Sequence, residues 1–111
     1  MNAEELKQEL KRIFGEQIVF NREFDYYAKS IKNLDQNMLE WCNLLKTGNL
    51  KSLRAPNLLG FRIFIKKIGS ANRCIVIKIV NGEFKEIHLA DHDYYNKKMQ
   101  ELGLKKSSNT Y

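Results

Sequence analysis

An α+β fold is predicted: N-terminal helices, two of them a helical hairpin, packed on a small twisted antiparallel sheet, with a C-terminal helix. Three observations predict it. Apolar residues recur at helical spacing through the first half of the chain and again at its end. From Phe61 to Ala90 the pattern changes to runs rich in Ile, Val and Phe. Between two of those runs stands Asn81-Gly82, the strongest short hairpin signal.

Each element has its own justification. AEELKQELKRIF places Leu6, Leu10, Ile13 and Phe14 on one helical face, with Glu4 and Glu5 near the positive end of the dipole and Gly15 as a stop. EQIVF is a short apolar run, read as a strand. NREFDYYAKSIKNL brings Phe24, Tyr27, Ala28, Ile31 and Leu34 together. Asp35 is the expected N-cap of QNMLEWCNLLK, whose stripe is Met38, Trp41, Leu44 and Leu45 and whose end is Gly48. Phe61 to Ile68, Arg73 to Val80 and Phe84 to Ala90 form a three-stranded meander. DHDYYNKKMQELGL reads as a helix capped by Asp91, and residues 105–111 as a frayed tail. The expectation is one domain over residues 1–111.

Composition narrows the partners. The chain has 111 residues, 43% of them hydrophobic, which is enough for a real core. Nineteen Lys and Arg against 13 Asp and Glu give a net charge of +6, which favours anionic partners. Gly60 to Val80 holds Arg62, Lys66, Lys67, Arg73 and Lys78 and no acid. Cys42 and Cys74 fall in a helix and a strand pattern and read as buried free thiols. His88 and His92 lack the spacing of a metal site, and no cofactor motif is present. MNAEELKQEL is too polar for a signal peptide, and no apolar run approaches the ~20 residues of a membrane span. A cytoplasmic protein with no membrane contact is expected.

The side of the sheet each cation occupies depends on register. A two-residue Asn81-Gly82 turn puts Ile79 opposite Phe84, Ile75 opposite His88 and Arg73 opposite Ala90. A symmetric loop centred on Ser70-Ala71 puts Ile68 opposite Arg73, Lys66 opposite Ile75 and Arg62 opposite Ile79. Arg62, Lys66, Arg73, Glu86 and His88 then share one face, and Lys67, Lys78 and Lys85 the other. A one-residue change in the 69–72 loop moves Arg62 and Lys66 across the sheet. Arginine forks on such a face suit phosphate. His88 or His92 can exchange protons near neutral pH, and Tyr94 or Tyr95 can stack on a base. Taken singly, each residue is as well explained by an ordinary solvated strand, core histidine or core tyrosine.

LLKTGNLKSL, LRAPNLLGFRIFIKK, NRCIVIKIVNGEF and IHLADHDYY together resemble the RelE/ParE superfamily of type II toxins, over roughly Gln17 to Leu104. The resemblance implies a RelE-like fold to which the helix within residues 1–15 is an addition. It implies a ribosome-dependent mRNA endoribonuclease that binds mRNA and the ribosome and is neutralised by a cognate antitoxin. Arg62, Lys66 and Arg73 match the basic positions that hold phosphate, and His92 and Tyr95 the terminal proton-transfer positions. Arg54, Lys67, His88 and Tyr94 complete the nucleic-acid-binding candidates. Asp93 stands where many relatives carry a cation, and the tyrosine comes early. A non-catalytic ParE-like gyrase inhibitor and a basic nucleic-acid-binding module without toxicity are the alternatives.

Overall fold

A computed structural model describes residues 2–31, 34–48 and 50–104. Their elements are helix α1 (Ala3–Phe14), strand β1 (Val19–Phe20), helices α2 (Phe24–Ser30) and α3 (Leu34–Lys46), strands β2 (Leu53–Arg54), β3 (Phe61–Ile68), β4 (Asn72–Ile79) and β5 (Phe84–Ala90), and helix α4 (His92–Leu102). The α+β class is therefore as expected. The sheet is mixed rather than antiparallel, in the order β1-β5-β4-β3-β2, because β1 runs parallel to β5. β2, absent from the sequence reading, is two residues long and carries no alternating pattern of its own.

The helix starts follow their local chemistry. Asn2 and Glu5 form a reciprocal capping box: each side chain accepts the other's backbone N–H, at 2.8 and 3.0 Å. Asp91 accepts the Tyr94 N–H at 2.8 Å and caps α4, as expected. The expected N-cap Asp35 falls inside α3, which begins at Leu34; its side chain lies outside the described residues, as do residues 105–111.

Two cores sit on opposite faces of the sheet. Leu6, Leu10 and Phe14 of α1 join Phe24, Met38, Cys42 and Leu45 over Phe64, Cys74, Val76, Phe84, Ile87 and Leu89. The N-terminal helix is thus no appendage: it packs against both α2 and α3. Leu44, placed in the buried stripe from its spacing, is exposed, and Cys42 takes its place. On the other face Tyr95, Met99 and Leu102 of α4 cover Ile63, Ile65, Ile75, Ile77 and Ala90. Cys42 and Cys74 are buried free thiols; burial pushes Cys42 up to about 12 and Cys74 well above the ordinary range.

The two connections in the meander decide the faces. Ile79 accepts the Gly82 N–H and donates its own to Glu83, so the loop holds three residues, and Asn81 alone takes a positive φ, of 58°. A bulge between Ile77 and Lys78 on the ladder to β5 restores the register that a two-residue turn predicts. Ile75 does pair with His88 and Arg73 with Ala90. The earlier loop, by contrast, is shorter by one than the expected 69–72: Ile68 pairs with Asn72, Lys67 with Arg73, Lys66 with Cys74 and Arg62 with Lys78. No bulge corrects it. Arg62 and Lys66 therefore point to the face of the three N-terminal helices, together with Lys78, while Lys67 joins Arg73 on the α4 face.

Candidate functional site

The α4 face carries a connected polar group. Glu86 and His88 stand two residues apart on β5, so they project to the same side. His88 Nε2 lies 2.8 Å from Glu86 Oε1, and Nδ1 lies 2.7 Å from the Tyr94 hydroxyl at the start of α4. His88 is 6% exposed, so both ring nitrogens find their partners inside the protein. Glu86 remains half exposed. A carboxylate, an imidazole and a phenol thus run in series from β5 to α4.

Backbone geometry holds that chain in place. Asn21 continues the β1–β5 ladder with its side chain: Oδ1 accepts the Leu89 N–H and Nδ2 donates to the Leu89 carbonyl, both at 2.9 Å. This fixes β5 next to His88. The Asp91 cap fixes the first turn of α4, which carries Tyr94.

The environment sets the charges. The His88 hydrogen bond holds the Glu86 carboxyl below its ordinary range, against the opposing effect of burial. Burial pushes the Tyr94 phenol up, with the nearby Glu23 charge adding to it and an Asn21 hydrogen bond opposing it. With Nε2–H donated to a carboxylate, Nδ1 is left to accept the phenol proton. The arrangement suits a proton relay in which His88 takes the Tyr94 proton as Tyr94 takes one from a substrate hydroxyl.

Beside this chain Arg73 is 5% exposed, with its guanidinium carbon 5.2 Å from the Tyr95 ring centre and Nη1 donating to the Asn72 carbonyl at 3.0 Å. Burial pushes the Tyr95 phenol up, and Arg73 opposes the shift. Lys67, directly across from Arg73, is exposed.

The residues named from sequence therefore divide. Arg73, Lys67, His88, Tyr94 and Tyr95 share the α4 face. Arg62, Lys66 and Arg54 do not: the expected grouping of Arg62 and Lys66 with Arg73 is overturned by the three-residue loop at 69–71. His92, the first residue of α4, is exposed and makes no hydrogen bond or ion pair with the described residues. Tyr95 is closed under Arg73. Glu86 was missed as a functional residue, although its position two before His88 on a strand is the signal that pairs them. No cluster of three or more His, Cys, Asp or Glu side chains able to hold a metal forms among the described residues, and no helix among them is long and apolar enough to cross a membrane. No family model matches the chain, and neither a curated protein nor a solved structure does.

Proposed function

We propose that the chain is a RelE/ParE-like toxin, a ribosome-dependent mRNA endoribonuclease neutralised by a cognate antitoxin, whose proton-handling group is Glu86–His88–Tyr94. The observation that carries this reading is the unbroken hydrogen-bonded series from the half-exposed Glu86 through His88 to the Tyr94 hydroxyl. Element order supports it: a short strand, two helices, a meander and a closing helix run in the sequence that the resemblance implies.

In this mechanism Tyr94 accepts the proton of a ribose 2′-hydroxyl while His88 accepts the phenol proton and Glu86 balances the imidazolium. The 2′-oxygen attacks the adjacent phosphorus, the 5′-oxygen leaves and takes up a proton from solvent, and a cyclic phosphate remains. Lys67, exposed on the same face, offers charge to the phosphate. Arg73 acts at one remove, by holding Tyr95 and with it the first turns of α4. The roles first given to His92 and Tyr95 pass to His88 and Tyr94 because of their contacts.

A second reading has an observation of its own. Arg62 and Lys66 lie across the sheet from Arg73, so the basic residues form no common phosphate cradle. That favours a non-catalytic ParE-like inhibitor or a nucleic-acid-binding module. mRNA cleavage on translating ribosomes separates the readings. The wild type is expected to cut, and Tyr94→Phe to cut about a hundredfold more slowly, the usual share of a general acid or base. Inhibited gyrase supercoiling with intact mRNA would establish the second reading instead.

A further inference from the structure

The cations displaced from the α4 face form a row of their own. Arg54 on β2 pairs with Arg62 on β3, and Arg62 pairs with Lys78 on β4. Three positive side chains thus stand side by side across three strands, where like charges directly opposite one another repel. Among the described residues nothing neutralises the two arginines: neither makes an ion pair or hydrogen bond there. Glu83, on the hairpin beyond Lys78, forms no ion pair with the described residues either. Lys78 rests over the Phe84 ring at 5.5 Å.

The same arginines line a cleft of about 290 Å³ at the end of the sheet. Its other walls are apolar, and two of them face water, with Leu59 82% and Val80 37% exposed. The cleft is preformed, because the Val80 N–H donates to the Gly60 carbonyl at 2.9 Å and clips its two rims together. Two guanidinium forks one strand spacing apart match a phosphate group better than a single carboxylate. An apolar wall beside them suits the body to which that phosphate is attached.

We infer that Arg54 and Arg62 form a phosphate-ester site, with Lys78 adding to its field and Leu59 and Val80 receiving the base or other apolar body of a nucleotide. The row of cations stands on the sheet face opposite Tyr94, the cleft at the end of the sheet also touches Ala55, Leu58 and Phe61 of the α4-side core, and the site does not rest on the cleavage reading. Its ligand is a nucleotide phosphate, whether free or part of a nucleic-acid strand.

Calorimetric titration of the full chain with uridine 5′-monophosphate, inorganic phosphate and a short oligodeoxyuridylate without terminal phosphates tests it. Wild type is expected to bind the monophosphate more tightly than inorganic phosphate. The Arg54→Gln/Arg62→Gln variant is expected to lose about tenfold or more, the equivalent of one or two charged hydrogen bonds. It is also expected to melt no lower than wild type, since a repulsive pair has been removed. Oligonucleotide binding with the same loss assigns the phosphate to a nucleic-acid strand; binding of the monophosphate alone assigns it to a free nucleotide. Absence of binding by wild type, undiminished binding by the double variant, a lowered melting temperature in that variant, or equal displacement by an oligoglutamate peptide would each overturn the assignment.

Discussion

Arg73 and Arg62 sit on neighbouring strands, and each faces a cation across the ladder: Arg73 faces Lys67, and Arg62 faces Arg54 and Lys78. Their surroundings differ. Arg73 lies beneath α4, where a guanidinium without partners would be costly, and it is satisfied by the Tyr95 ring and the Asn72 carbonyl. Arg62 borders an open cleft, where water meets its hydrogen bonds and no partner is required. Burial converts one arginine into part of the structure and exposure leaves the other available to a ligand. The same contrast holds for the histidines: His88 is enclosed and bonded at both nitrogens, while His92 is exposed and unbonded among the described residues.

The largest expected effect comes from unseating the layer that creates this difference. Met99→Ala removes a fully buried side chain between α4 and the sheet, and should cost about 2–5 kcal/mol in denaturant unfolding. If α4 holds the polar chain together, the hydrogen-bonded His88 ring proton should also become labile in NMR spectra of the folded variant. A Met99→Ala protein with that proton still protected would show that β5 orders His88 without α4.

A smaller effect concerns pH. The Glu86 carboxyl titrates below its unfolded value because of the His88 hydrogen bond. A depressed folded value means that the bond contributes stability above the unfolded pKa, near 4.5, and loses it as pH falls through the folded one. Wild type should therefore lose more stability than Glu86→Gln on acidification below about pH 4.5. Parallel stability profiles for the two proteins would break the proposed coupling. Across the sheet, Cys42 and Cys74 are closed off and held as thiols, so a thiol reagent should label neither until the protein unfolds.

Much of this was legible in the chain, and the failures have local causes. The bounds of α1, the Asp91 cap and two of the long strands follow from periodicity and capping chemistry. Both meander loops miss the expected length by one residue: residues 80–82 make three where two were expected, and residues 69–71 make three where 69–72 would make four. After Val80-Asn81-Gly82, the bulge at Ile77/Lys78 absorbs the extra residue, so Ile75–His88 was predicted correctly from an incorrect turn. At Gly69-Ser70-Ala71 nothing offsets the missing residue, and Arg62 and Lys66 change sides. Parallel β1 and the short β2 were not legible either, because two residues carry no period. The Glu86–His88–Tyr94 chain needed only a strand period and the helix start, but its third member arrives from a different element.

The smallest effect tests the register that underlies all of this. Arg54→Glu should turn a repulsive cross-strand pair with Arg62 into an attractive one, stabilising the protein by about 0.2–1 kcal/mol. A neutral result at low salt would place the two side chains apart.

The division of the arginines by face is tested most directly by urea unfolding of Arg73→Gln and Arg62→Gln side by side. Arg73→Gln is expected to lose about 2 kcal/mol, the worth of a desolvated cation over an aromatic ring. Arg62→Gln is expected to stay within about 0.5 kcal/mol of wild type, as for a surface change. Equal losses in the two variants, or a larger loss for Arg62→Gln, would contradict the account.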